Sequence, residues 1–130
     1  MGQPVGTRFL LDTHVVIWWL ADDPRLQGDV ATLIDEEVDV MVSAATVWEV
    51  AIKQRAGKIE APHDLPEQIR DCELSHLPIS SHHAIEAARL PSIHRDPFDR
   101  MLVAQARHHG LTLVTRDEHI QKYDVSVLPA

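Results

Sequence analysis

Short apolar runs recur along this chain, and longer amphipathic stretches separate them. Phe9, Leu10 and Leu11 form the first run and stop at Asp12; Val38 to Val42, Thr112 to Val114 and Val125 to Leu128 form three more. Each reads as a buried strand. A weaker strand is expected over His76 to Ile79. Helix-length segments are expected at Val15 to Ala21, Pro24 to Glu37, Ala44 to Ala56, Leu65 to Leu74, Ser81 to Leu90 and Pro97 to His109, with a short one at Glu118 to Tyr123. Ser43 and Asp96 stand where N-caps belong, Pro97 occupies a first helical position and Gly110 stops the helix before it. Helices rather than tight turns join the strands, which implies parallel pairing through right-handed crossovers and a three-layer α/β fold. Ligands in such sheets bind beyond the carboxyl ends of the strands.

At 130 residues the chain is one domain, read as residues 8–130 behind a flexible, aperiodic stretch from Met1 to Thr7. Hydrophobic residues make up 45% and charged residues 25%, which excludes a disordered or low-complexity protein. The single Cys72 excludes an intrachain disulfide or a four-cysteine zinc site, and no Asn is present to form a glycosylation sequon. The longest apolar run, Val15 to Ala21, is far short of the roughly 20 residues a bilayer requires. A cytoplasmic protein without membrane association is expected. The net charge of −8 argues against a nucleic-acid partner, except that carboxylates gathered around a cation contribute charge where the ion reverses the field.

Four carboxylates merit that question. Asp12 ends the first strand, Glu49 lies inside the helix after the second, Asp99 is in the first turn of the helix before the fourth, and Asp117 follows that strand by two residues. Each has a purely structural role open to it: Asp12 and Asp117 as caps, Asp99 in a capping box with Asp96, Glu49 paired with Lys53 at i,i+4. All four also reach one edge of a parallel sheet, where like charges near 4 Å repel by about 4 kcal/mol at an effective dielectric near 20 and call for a counter-cation. Oxygen-only ligands favour Mg²⁺ or Mn²⁺, whose waters can be ionised to attack a phosphodiester. The nine His offer no HExxH or Cys-His spacing, and the pairs His82–His83 and His108–His109 are expected to face solvent. No nucleophile elbow, P-loop or dinucleotide motif occurs.

The segments LLDTHVVIWWL, VSAATVWEVAIKQRAGKI, HRDPFDRMLVAQARHHG and LTLVTRDEHI, in this order, resemble PIN-domain proteins, and among them the VapC-type toxins of bacterial toxin–antitoxin pairs. The resemblance runs from about Arg8 to Leu128. It implies a five-stranded parallel sheet flanked by helices on both faces, a Mg²⁺- or Mn²⁺-dependent endoribonuclease, and a cognate antitoxin as partner. It also implies that Asp12, Glu49, Asp99 and Asp117 are the acidic quartet, with Thr115 a polar neighbour. The chain departs from the pattern at His14, where many relatives carry Asn or Asp. Asp96 competes for the third acidic place, but Asp99 directly precedes the RMLVAQA stretch, and Asp96 before Pro97 already has a capping role.

Two further expectations concern surfaces. The segment Val15 to Leu20 is apolar around its whole circumference, so Trp18 and Trp19 are either covered by the opposite helix layer or form a partner surface, and a homodimer is expected from this apolar helix together with the resemblance. Arg95, Arg100, Arg107 and Arg116 flank the acids and are candidates for RNA phosphates. The competing function is a phosphoacceptor or haloacid-dehalogenase-like phosphatase domain. The first would need paired acids after the first strand and a Lys after the last; the second would need Asp at His14.

Overall fold

The computed structural model describes residues 7–37 and 39–130. The expected flexible start, Met1 to Thr7, lies outside the described residues except for Thr7, and so does Val38 at the head of the second apolar run. Five parallel strands form one sheet: β1 (Phe9–Leu11), β2 (Val40–Ser43), β3 (Ser75–Leu77), β4 (Thr112–Thr115) and β5 (Val127–Pro129), in the order β3-β2-β1-β4-β5. Leu11 pairs with Val114 and Leu10 with Met41, so β1 is the central strand and its neighbours end beside it. The sheet order reverses direction at β1, which places the crevice for a ligand at the carboxyl ends of β1 and β4.

Six helices flank the sheet: α1 (Thr13–Leu20), α2 (Gly28–Glu36), α3 (Ala44–Arg55), α4 (Leu65–Asp71), α5 (Ser81–Arg89) and α6 (Pro97–His109). The pleat divides the core in two. Phe9, Leu11 and Val114 join Val15, Val30, Ile34 and Ile69 on one face, while Leu10 and Leu113 join Leu77, Leu102 and Val103 on the other. This explains the apolar runs: both faces of every central strand are buried.

Capping accounts for most boundaries. The Asp12 carboxylate accepts from the His14 amide and starts α1 two residues before the apolar run suggests. Ser43 Oγ accepts from the Ala45 amide, and Asp96 accepts from the amides of Phe98 and Asp99. Gly110 takes the left-handed conformation (φ 66°) that ends α6. The expected helix from Pro24 begins only at Gly28, because Asp23 folds back onto the Arg25 amide and holds a turn there. α4 stops at Asp71 rather than Leu74: Glu73 adopts φ 63°, and the amides of Glu73 and Leu74 close back onto Arg70 and Ile69. The expected helix at Glu118 to Tyr123 is a 3₁₀ turn over Ile120–Lys122. Among the described residues no helix is long and apolar enough to cross a membrane.

Trp18 is 9% exposed and belongs to the core, while Trp19 is half-buried and donates from Nε1 to Asp35 at 2.9 Å. The guanidinium groups of Arg116 and Arg25 cover the Trp18 ring, at 4.5 and 5.4 Å from its centre. Trp18 is therefore largely covered, and it shares with Trp19 and Leu20 the lining of one groove.

The histidine expectation holds for His82 and His108, which are exposed, and is corrected for His83 and in part for His109, which is half-buried. His83 is 3% exposed, because Ser80 and His83 form a reciprocal capping box and α5 packs along α6. His83 Nδ1 accepts from the Ser80 amide at 3.0 Å and lies 3.3 Å from Gln105 Nε2, so in the neutral ring the proton sits on Nε2 and is donated to His109 Nε2 at 2.7 Å. His83, His108 and His109 are close enough together to face one ion, yet this tautomer leaves His83 Nε2 a donor rather than a ligand. Burial, then the neighbouring His109 and His108, holds the His83 pKa below its ordinary value; burial and His108 do the same for His109. A histidine depressed in the fold contributes stability above its unfolded pKa, near 6.5, and loses it as pH falls through the folded value. The cluster's contribution is therefore expected to fall from about pH 7 toward about pH 5, so the thermal midpoint of the parent should drop relative to that of His109→Gln over this range; parallel profiles for the two proteins would acquit the cluster.

Candidate active site

The sheet delivers its acids through the ends of its elements. Asp12 follows β1 directly and is almost fully buried. Its Oδ1 accepts from the His14 amide at 3.3 Å, and its Oδ2 accepts from the Thr115 hydroxyl at 2.5 Å. Thr115 ends β4 and is itself fully buried; its Oγ1 accepts in turn from the Asp117 amide at 3.0 Å. Asp117 uses Oδ1 to cap the following turn, accepting from the amides of His119 at 2.7 Å and Ile120 at 3.4 Å, and turns Oδ2 toward His94, 3.8 Å away. Asp99 rises from the first turn of α6. Because Asp96 already occupies that cap, the Asp99 carboxylate is free to meet His94 Nε2, 2.8 Å from Oδ2.

Glu49 lies on α3, 5% exposed, with both oxygens engaged. Oε1 accepts from the Thr13 hydroxyl at 2.7 Å, and Oε2 pairs with Lys53 at 2.7 Å. The i,i+4 pairing that offered a purely structural role for Glu49 thus forms, and it forms inside the acidic edge, since Asp96 and Asp99 also act on the Lys53 ammonium and with Glu49 hold its pKa above the ordinary value.

The electrostatic consequence is concentrated on two groups. Burial raises the Asp12 pKa, against the opposing hydrogen bond from Thr115 and the nearby His14. Burial, followed by the charges of Asp12 and Asp96, pushes Asp99 up to about 7, and the His94 hydrogen bond offsets only part of that. Positive charge is what this edge lacks. His94, Asp99 and Asp117 each present one donor atom, all within 4.8 Å of one another, a set that suits a divalent cation by donor type and spacing.

Some candidates meet here and others do not. Asp12, Asp99, Asp117 and Thr115 form one contiguous group, and Glu49 adjoins it through Thr13 and Lys53. Arg95 is exposed and follows His94 in the chain. The Arg100 guanidinium instead faces inward, donating to the carbonyls of Ala87, Leu90, Pro91 and His94 and to the Tyr123 hydroxyl. Arg116 donates to the carbonyls of Ala130 and Arg25 and lies over Trp18. His94 is the residue that the reading by spacing missed. It stands two residues before Asp96 in HRDPFD, and only the loop that precedes α6 brings it over Asp99, so an imidazole nitrogen stands among the carboxylate oxygens. The ring of His119 stacks on it, 5.2 Å between centres and 19° between planes.

Comparison with known proteins identifies the family. The PIN domain family model matches residues 9–126. The chain is 31% identical over 125 residues to Ribonuclease VapC22 of Mycobacterium tuberculosis (strain ATCC 25618 / H37Rv), covering 90% of this chain and 92% of the relative. It is 31% identical over 114 residues to Ribonuclease VapC16 of the same organism, covering 81% and 77%. Among solved structures it resembles FitAcB from Neisseria gonorrhoeae, with a TM-score of 0.67 and 26% identity over 92% of this chain and 96% of that one.

A carboxyl group raised from 3.8 to about 7 in the fold binds its proton more tightly there than in the unfolded chain. Its ionisation therefore costs stability above pH 7, and the cost disappears as pH falls toward 3.8. A tenfold difference in proton affinity between the two states corresponds to about 1.4 kcal/mol. In EDTA at about pH 8, Asp99→Asn should be more stable than the parent by about 1 kcal/mol or more, and the gap should close on acidification to about pH 5. Equal or lower stability of the variant under the alkaline condition, measured by thermal or urea unfolding, would show that Asp99 carries no such strain.

Proposed function

We propose, from the premise that this chain belongs to the PIN-domain family, that it is the ribonuclease toxin of a toxin–antitoxin pair and hydrolyses RNA phosphodiester bonds with Mg²⁺ or Mn²⁺. The observation that carries this reading is the shared, part-buried space of Asp12, Asp99 and Asp117, with Glu49 held against it. When bound, a divalent cation supplies charge neutralisation there and makes a water more acidic. Asp12, Asp99 and Asp117 would hold it, and Glu49 would complete the quartet, fixed in place by Thr13 and Lys53. Thr115 keeps the Asp12 carboxylate aimed at the edge by donating to one oxygen.

The reaction asks three things of the protein. The substrate phosphate must be drawn to a negatively charged chain, the attacking water must be oriented, and its proton must be accepted. Asp99 or Asp117 orients the water and takes the proton, both carboxylates having an oxygen on the open side near His94. The water oxygen bonds to phosphorus as the bond to the 3′ oxygen breaks, leaving a 5′-phosphate and a 3′-hydroxyl. Arg95, exposed and next to His94 in the chain, suits RNA phosphates, whereas Arg100 and Arg116 are already held by backbone carbonyls and act by positioning loops.

A cognate antitoxin on another chain is the proposed inhibitor. Support comes from the groove of about 610 Å³ whose lining combines apolar side chains, Trp18, Trp19, Leu20 and Leu26, with the carboxylates of Asp22 and Asp35. The proposed homodimer draws support from a different place than the apolar segment of α1: Trp48 and Ile52, one turn apart on α3, are 62% and 45% exposed. The phosphatase and phosphoacceptor alternative finds no favour, since His14 stands where a second acid is required and the relatives are ribonucleases.

The test is cleavage of a labelled RNA with and without EDTA by the parent and by Asp12→Asn, which removes one charge and keeps the size. Cleavage should require the added cation, should fall by about 100-fold or more in the variant, and should leave 5′-phosphate ends. Undiminished cleavage by the folded variant, or 2′,3′-cyclic phosphate ends, would overturn the scheme.

A further inference from the structure

We infer that His94 is itself a ligand of the cation in this site, and that its nitrogen turns the site toward Mn²⁺ over Mg²⁺. The inference rests on the metal-dependent reading above and adds to it a ligand outside the acidic quartet.

His94 Nε2 lies 2.8 Å from Asp99 Oδ2 and 3.8 Å from Asp117 Oδ2. These spacings bracket the roughly 3 Å that neighbouring donors on one small ion keep from each other. The proton now shared between Nε2 and Asp99 would give way to the ion, with the ring then protonated on Nδ1, for which the described residues fix no partner that forbids it. The ring is held there from three directions. The His94 amide donates to the Tyr123 hydroxyl at 2.9 Å, and its carbonyl accepts from Arg100 at 3.2 Å. Tyr123 is 4% exposed and anchored in the core formed by α6 and β4, so the backbone of residue 94 is tied to a rigid part of the fold. On the open side the stacked His119 ring limits rotation. An ion entering between Asp99 and Asp117 therefore meets the imidazole nitrogen. For the ring to leave, it must give up its stacking partner and the Asp99 contact together.

The chemical consequence follows from donor hardness. Mg²⁺ favours oxygen and keeps its waters, so an imidazole contributes little to holding it. Mn²⁺ accepts carboxylates equally well and, although first and weakest in its transition series, takes an imidazole nitrogen more readily than Mg²⁺ does. A site made only of Asp12, Asp99 and Asp117 would distinguish the two ions weakly, and His94 supplies the discrimination.

The experiment loads the purified full-length chain with Mn²⁺ and records electron spin echo envelope modulation, which reports nitrogen bound directly to the ion. Nitrogen modulation is expected in the parent and in His119→Ala, and its loss is expected in His94→Ala and His94→Gln. Calorimetric titration should show a preference for Mn²⁺ over Mg²⁺ of about tenfold or more in the parent, and in the His94 variants a selective loss of Mn²⁺ affinity with that for Mg²⁺ changed less than about threefold. Mn²⁺ bound in an Asp12-dependent way without nitrogen modulation in the parent, or with modulation that survives in the His94 variants, overturns the assignment and leaves the carboxylate site standing. Failure of the parent to bind Mn²⁺ at all overturns both. The parent spectrum decides even if a variant fails to fold.

Discussion

Buried carboxylates repel one another, and the carboxyl edge of this sheet brings three of them into one part-buried space. Asp99 feels Asp12, Asp96 and Asp117 together, and its proton affinity rises to about 7 as a result of burial and those charges. Nothing in the core offsets this. The groups that do are local: Lys53 on Glu49, His94 on Asp99 and the Thr115 hydroxyl on Asp12. A parallel sheet has no alternative place for such a cluster, because all its strands end on the same side and its switch point lies between β2 and β4 at β1. The fold thus concentrates an unfavourable interaction at one edge, and the two apolar cores on either face of the sheet supply the stability that tolerates it.

Each acid reconciles two duties by dividing its oxygens. Asp12 gives Oδ1 to the start of α1 and Oδ2 to Thr115; Asp117 gives Oδ1 to the following turn and keeps Oδ2 toward His94. Capping and ligand binding are therefore not rival explanations for these residues. A helix that begins where a strand ends needs an acceptor for its free amides, and the same carboxylate then stands at the mouth of the crevice with lone pairs to spare. On α6 the duties fall to two residues instead. Asp96 caps the helix, which frees Asp99 three positions later to face the other acids.

This division explains why the acids were legible in the sequence and why other parts were not. Asp12, Asp99 and Asp117 sit at element ends that apolar periodicity and capping chemistry mark clearly. Glu49 was legible by helical spacing, as was its bond to Lys53. His94 carries no periodic signal: it belongs to an irregular loop whose path depends on Arg100 and Tyr123, partners 6 and 29 residues away. The burial of Trp18 depends likewise on Arg25 and Arg116, which no local pattern connects to it. His83 escapes a reading from sequence because its ring reaches Ser80 by a capping box and His109 across a helix pair, and only the first of those is written in neighbouring residues. Where a side chain's surroundings are set by the next turn, sequence suffices; where they are set by a distant guanidinium, it does not.

Arg100 shows how far that dependence extends. Its planar group donates to four carbonyls between Ala87 and His94 and to the Tyr123 hydroxyl, so one side chain fixes the loop that hangs over the acids. A lysine, with a single ammonium, could not reach the same set of acceptors. The inward turn of Arg100 also removes one positive charge from the surface of a chain that already carries −8, while Arg116 stays exposed with its guanidinium engaged by the carbonyls of Ala130 and Arg25. In the ribonuclease reading, a polyanion therefore finds Arg95 exposed but gains nothing from Arg100, whose guanidinium is committed to the fold. Attraction of the scissile phosphate then falls largely to the cation, so loading of the acidic edge governs substrate capture as well as the chemical step. A partner that neutralised the acids with its own positive group would interrupt both at once without touching the fold beneath them.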